Sequence, residues 1–314
     1  MGKINDVLQR YLSDRERFAD LFNAAYFHGE QVVMYNDLKE ENVLYKEGQQ
    51  RDIKMCMRTG STFRILALEN QNLVDYAMPF ICMQYDTLEY KQQIDSIRKQ
   101  NDNAKNYITS AERLCKMKRT DRLMPVYTLC LYHGEEKWDG PRTLKDMMDF
   151  GENTDLMSRH FVDYPMRLYC INEENDFSVF RTELKELFMM LQYRRDKTAL
   201  WNLVQNNPFY RDISQETAEA AAVLMNVEGM WEKRARYLHR YREEVKYDMC
   251  QALQELFEDG RLQGIEQGIE QGIRACITLC REFGIDKEGA VLQISRKFAL
   301  NMGTAEEYTD KYWV

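Results

Sequence analysis

Apolar residues recur at helical spacing over residues 5–27, where Val7, Leu8, Tyr11 and Leu12 are followed by Phe18, Leu21, Phe22 and Ala25. This pattern predicts one broken helix or two short ones. The period changes at residues 51–71, RDIKMCMRTGSTFRILALENQ, where two runs rich in apolar residues flank Gly60-Ser61. Glycine followed by a small polar residue is the signature of a two-residue type II′ loop, because glycine supplies the positive φ of its first position. Such a loop sets Thr59 opposite Thr62 and, down the ladder, Asp52 opposite Glu69 on one face. Phe63, Ile65, Ala67, Glu69 and Gln71 then share one side of the strand, and Arg64, Leu66, Leu68 and Asn70 the other. A slip of one residue turns Asp52 to the wrong face.

Beyond the hairpin, Asp75 is placed to cap a helix with Pro79 in or near its first turn, running through Phe80, Ile81, Tyr85 and Leu88 to about Arg98. MPVYTLCLY (124–132) reads as a strand, HGEEKWDGP as a loop, TLKDMMDF as a two-turn helix and YPMRLYCI (164–171) as a further strand. The order predicts an α/β class with a mixed sheet flanked by helices. From about residue 174 the pattern reads as helical throughout, including the charged stretch MWEKRARYLHRYREEVKYDMCQALQELFEDG. There follows a G-I-E-Q repeat that spaces Gly260, Gly264, Gly268 and Gly272 by four. On a helix these form a small-residue stripe that admits a second helix, at a cost of about 1 kcal/mol each against alanine. The alternative is a low-complexity spacer with no specific partner. The expected organisation is an α/β domain over 1–200, a helical region over 201–280 and a small helical tail over 281–314.

At 314 residues the chain is long enough for more than one compact unit. No run approaches the roughly 18 uninterrupted apolar residues of a membrane span, and the N-terminus lacks the apolar core of a signal peptide, so a cytoplasmic protein is expected. The eight cysteines show no C-x-x-C spacing, and several sit within apolar patterns, as reduced small hydrophobes do. Cys276 and Cys280, four apart, make at most half a metal site. A net charge of −8 excludes bulk electrostatic coating of nucleic acid but leaves room for a local basic face. Three clusters qualify: Arg113, Lys116, Lys118 and Arg119; Arg194, Arg195 and Lys197; and Lys233, Arg234, Arg236, Arg240 and Arg242.

Like charges directly opposed on neighbouring strands destabilise the pair, so the juxtaposition of Asp52 and Glu69 needs a reason. A divalent cation between them is one, since Mg²⁺ accepts one or two carboxylates together with waters and phosphate oxygens, and then polarises a phosphodiester and activates a water. The other is that both groups are solvated at the open end of the hairpin, or that Asp52 pairs with Arg51 or Lys54.

LENQ followed by DYAMPFICMQYD, and then PVYTLCLYHGEEKWDGPRTLKDM, resembles the Rpn family of recombination-promoting nucleases and transposase-like proteins, within the PD-(D/E)XK nuclease superfamily. The resemblance spans roughly residues 15–250, and the glycine repeat and the closing Y-x-x-x-Y-W look like the same family's C-terminus. It implies a PD-(D/E)XK nuclease-like sheet domain followed by an all-helical region, and a Mg²⁺-dependent DNA endonuclease for which Mn²⁺ substitutes. Asp52 and Glu69 match the metal-binding pair, and Gln71 the residue that positions the attacking water. Many members have lysine in that third place; glutamine orients a water through its amide but brings no charge to the transition state. Lys54, on the face of Asp52, is a candidate for the missing charge, and Asp20 and Glu30 are candidates for an additional acid. The rival readings are a catalytically weakened nuclease-fold protein acting as a binding or assembly module, and an enzyme acting on RNA or nucleotides. The expected partners are DNA and, through the glycine-striped helix, a second copy of the chain in a homodimer.

Overall fold

Asp14 interrupts the first helical pattern. Its carboxylate accepts the amides of Glu16 and Arg17, so the chain forms two helices, α1 (Lys3–Leu12) and α2 (Arg15–Ala25). The computed structural model describes residues 3–45, 50–174 and 176–313. They form two compact units, Met1–Met249 and Cys250–Val314. The expected boundary at residue 200 therefore falls inside the first unit.

A five-stranded sheet organises this unit, in the order β1 (Leu38–Glu40), β2 (Ile53–Thr59), β3 (Thr62–Gln71), β4 (Val126–Tyr132) and β5 (Arg167–Cys170). The first three strands are antiparallel, and β3, β4 and β5 run parallel. The hairpin has the expected register, with Thr59 opposite Thr62 and Ile53 opposite Leu68. Gly60 takes φ +61° while Ser61 does not enter the left-handed region, as a type II′ loop requires.

The β3–β4 crossover is α3 (Met78–Ala104), with Pro79 in its first turn, and α4 (Ser110–Cys115), closed by a Thr109–Glu112 capping box. Asp75 accepts the Ala77 amide at 2.8 Å just ahead of α3, which runs six residues past the expected end. Met78 and Cys82 of α3 pack with Cys130, Tyr132 and Trp138, so this helix covers the sheet face that carries Glu69 and Gln71. TLKDMMDF is only a 3-10 turn at Lys145–Met147, and α5 (Thr154–His160) precedes β5.

After β5 the expectation of uninterrupted helix fails. Helices α6 (Leu184–Gln192), α7 (Lys197–Asn206), α8 (Gln215–Leu224) and α9 (Glu228–Glu232) alternate with a second, three-stranded sheet of β6 (Ile213–Ser214), β8 (Glu244–Tyr247) and β7 (Leu238–Tyr241). The stretch YLHRYREEVKY is a hairpin rather than a helix because it alternates with period two: Leu238, Arg240, Val245 and Tyr247 share one face, and His239, Tyr241, Glu244 and Lys246 the other. Helix α8 packs against α1 and α6, whose buried Leu8, Leu12, Phe188 and Leu191 fill the core with Phe18 and Phe22 of α2.

The second unit consists of α10 (Met249–Glu282), α11 (Lys287–Phe298) and α12 (Met302–Tyr312). Asp286 and Asn301 cap the two shorter helices. Ile273, Ile277, Val291, Ile294 and Ala305 form its core, with Phe298, Tyr308 and Tyr312 around them. Gly260, Gly264 and Gly268 meet nothing within 4 Å of a built Cβ, and only Gly272 is approached, by the Phe298 ring at 3.1 Å. Cys276 and Cys280 belong to no metal-holding group among the described residues. Nor is any described helix long and apolar enough to cross a membrane.

Candidate active site

The parallel pairing of β3 with β4 brings the C-terminal ends of two strands together, the usual place for a binding crevice in a sheet of this kind. Glu69 and Gln71 lie at that end of β3, beside Cys130 and Tyr132 of β4. Asp52 enters from the start of β2 and follows the hairpin register one step beyond Ile53–Leu68. Its Oδ2 accepts the Asn70 amide at 2.7 Å, standing in for a backbone ladder partner, while the Gln9 side chain donates to its carbonyl. Burial raises the Asp52 carboxyl above its ordinary value, against the Asn70 amide, which lowers it. Glu69 is 4% exposed. Burial pushes it up to about 8, the Arg51 guanidinium pulls it down, and the Asp52 carboxylate pushes it up again. The two carboxylates therefore sense each other.

The cation that meets Glu69 is Arg51. Its side chain is wholly buried, with Nη1 at 3.3 Å from Glu69 Oε1 and 2.9 Å from Thr128 Oγ1. Nη2 lies 2.7 Å from Asp86 Oδ1, Nε donates to the Tyr45 hydroxyl at 2.8 Å, and the Tyr85 ring lies 5.1 Å from the guanidinium carbon. Asp86 also accepts the hydroxyls of Thr128 and Tyr164, each at 2.5 Å. Lys54, expected beside Asp52, turns instead to Glu89 of α3, its Nζ 3.1 Å from Oε2, which also accepts the Tyr45 hydroxyl at 3.3 Å. A strand lysine under a helix finds the helix carboxylate before it finds one on its own strand. The result is one cluster in which Arg51 meets Glu69 and Asp86, Lys54 meets Glu89, and Asp52 lies near enough to Glu69 to act on it.

The remaining expected site residues separate. Gln71 is half-buried at the end of β3, and its side-chain amide makes no hydrogen bond among the described residues. Asp20 of α2 accepts the amides of Arg181 and Thr182 and the Thr182 hydroxyl at 2.7–3.0 Å, so it fixes the turn before α6 instead of joining Glu69. Glu30 is exposed in the loop after α2 and reaches neither Asp52 nor Glu69. Sequence reasoning offered Arg51 only as a partner of Asp52, whereas it meets Glu69 and Asp86, and it passed over Asp86 and Glu89. The trace of the two acids was present in α3, where Asp86, Glu89 and Gln93 recur at intervals of three and four, a polar stripe in line with the buried Cys82 on the helix face that meets the sheet.

Among the described residues no three His, Cys, Asp or Glu side chains converge to hold a metal ion, so an all-protein cage is absent from them. The donor set suits a hard cation that keeps waters and takes ligands from a phosphate: two carboxylates at a strand end, with a free amide beside them. No family model matches the chain, and no curated protein or solved structure is found similar to it.

Proposed function

We propose that the chain is a metal-dependent DNA endonuclease with a PD-(D/E)XK nuclease-like fold, of the recombination-promoting type that its sequence resembles. The observation that carries this reading is the nearness of two carboxyl groups at the C-terminal end of β3, half-buried Asp52 and buried Glu69, both raised by burial and Glu69 raised further by Asp52. Such a pair favours the protonated form until a further cation takes the place of the proton. Asp52 and Glu69 would hold Mg²⁺, or Mn²⁺ in its place, and that ion supplies Lewis-acid polarisation of a phosphodiester and a more acidic bound water. The unengaged amide of Gln71 aims the water, accepting from it or donating to it without changing charge. Arg51 fixes Glu69 from one side, Asp86 and Thr128 fix Arg51, and Tyr164 donates to Asp86.

The test is cleavage of plasmid and linear DNA by purified protein with Mg²⁺ or Mn²⁺. Asp52→Asn and Glu69→Gln keep shape and remove charge, so they abolish cleavage and reduce the metal-induced rise in melting temperature. Equal residual cleavage by wild type and Asp52→Asn would mark the activity as contamination and end the nuclease reading. Arg51 favours a second reading, a catalytically weakened protein that works as a binding module. A buried guanidinium on Glu69 already supplies a positive charge there and competes with a metal ion for it. In that case metal ions leave the melting temperature unchanged and DNA is bound but not cut.

A further inference from the structure

A groove of about 980 Å³ opens between the start of α6, the 3-10 turn Pro208–Arg211 and the tip of the β7–β8 hairpin. We propose that this groove binds single-stranded DNA, its cations tracking the phosphates and its exposed rings stacking on bases. The proposal rests on the reading of the chain as one that acts on DNA.

Four cations line the groove, Arg181, Lys185, Arg242 and Lys246; Lys246 pairs with Glu244, and the other three form no ion pair among the described residues. The acids that share the lining are mostly engaged elsewhere. Glu183 accepts the amide and hydroxyl of Ser214 and the hydroxyl of Thr217. Asp212 meets His239 at 2.7 Å, and Glu244 meets Lys246 at 2.7 Å. Glu186 is buried, which raises its carboxyl toward the neutral form. Glu243, at the hairpin tip, is the exposed exception. Four cations thus stand against five acids in the lining, and it is the three unpaired cations, with no carboxylate held to them, that a phosphate backbone would meet.

Two rings complete the argument. Phe209 is 71% exposed and Tyr241 44%, both on the groove, where nothing in their own unit covers them. Arg242 lies 5.4 Å from the Tyr241 ring and takes φ +57° in the two-residue hairpin loop, a position that favours glycine. The chain thus keeps a long cationic side chain at a strained backbone site, beside an exposed ring. Unpaired cations interleaved with exposed aromatics suit a single strand, whose bases are free to stack, better than a duplex, whose bases are not.

The test is fluorescence anisotropy with a labelled oligo-dT strand and with a matched duplex, using the full chain in EDTA so that no cleavage intervenes. Wild type should bind the single strand more tightly than the duplex. Phe209→Ala with Tyr241→Ala should weaken single-strand binding roughly 10-fold or more. Arg181→Ala with Lys185→Ala and Arg242→Ala should lower the slope of log affinity against log salt by about 2. Arg113→Ala with Arg119→Ala, at another exposed basic cluster, is the control and should change neither. The proposal is overturned if the aromatic variant binds as wild type does, if the control loses as much, or if duplex and single strand are bound alike. Because binding is read without metal, strand binding that survives alongside absent cleavage would sink the nuclease reading and leave the groove standing.

Discussion

The two units treat unusual sequence in opposite ways. In the first, charged residues that would be at home in water are drawn under α3 and locked to one another, down to an arginine with no exposed surface. In the second, a glycine repeat that looked built for close packing faces open space along most of α10, with the apolar Leu262, Ile265 and Ile269 exposed around it. A signal that seems chemical can be held inside a fold, and one that seems structural can be left for something outside it. Burial, which the letters do not state, decides which is which.

The largest effect should come from breaking the buried side of this contrast. Arg51→Met leaves Glu69 and Asp86 without their cation and should cost roughly 3–5 kcal/mol, read as a lower urea midpoint. Adding Glu69→Gln to Arg51→Met should recover part of that loss; no recovery would mean that the arginine contributes packing alone.

Next in size is a pH effect measured in EDTA. The folded state holds the Glu69 proton more tightly than the unfolded chain, so this group's contribution is present at low pH and is lost as pH rises from 4.5 to about 8. His133 acts oppositely. Its buried ring is pushed down to about 4 by burial and by the nearby Arg194, so stability is lost as pH falls from 6.5 toward 4. Glu69→Gln should flatten the alkaline side of the stability profile and leave the acid side unchanged. A wild-type profile that is flat between pH 6 and 9 would contradict the assignment.

Smaller and of opposite sign are the glycines. Gly264→Ala and Gly268→Ala should each raise stability by about 0.5–1 kcal/mol in thermal melts, since an added methyl meets nothing. If the stripe is a homodimer seam, light scattering should instead show these variants dissociating. Gly272→Ala sharpens the contrast within one helix: its methyl would press on the Phe298 ring, so the gain should shrink to about zero or reverse.

The hairpin and its register, which ends at Ile53 opposite Leu68, were legible because a Gly-Ser loop and strict alternation are local signals. The β7–β8 hairpin was legible in principle, but its arginines and glutamates mimic a charged helix, and charge hid the period-two pattern. The partners of Arg51 were not legible. Tyr45, Glu69, Asp86 and Thr128 come from one loop, two strands and a helix, and nothing local says that they meet. Asp20 misled for a related reason, since an acid on an early helix looks the same whether it turns to a metal or caps a distant turn.

The separations at which Arg51 finds its partners, 6, 18, 35 and 77 residues along the chain, also carry a kinetic consequence. Thr128 is supplied by β4, which pairs in parallel with β3 only after the long α3–α4 crossover has closed, and such non-local pairing is slow. Until then Arg51 is better solvated than paired, so the cluster closes late, on the native side of the folding barrier. Weakening it should speed unfolding and leave the refolding rate nearly unchanged. The cluster would then act as a clasp that sets how long the protein stays folded, with little say in how quickly it gets there.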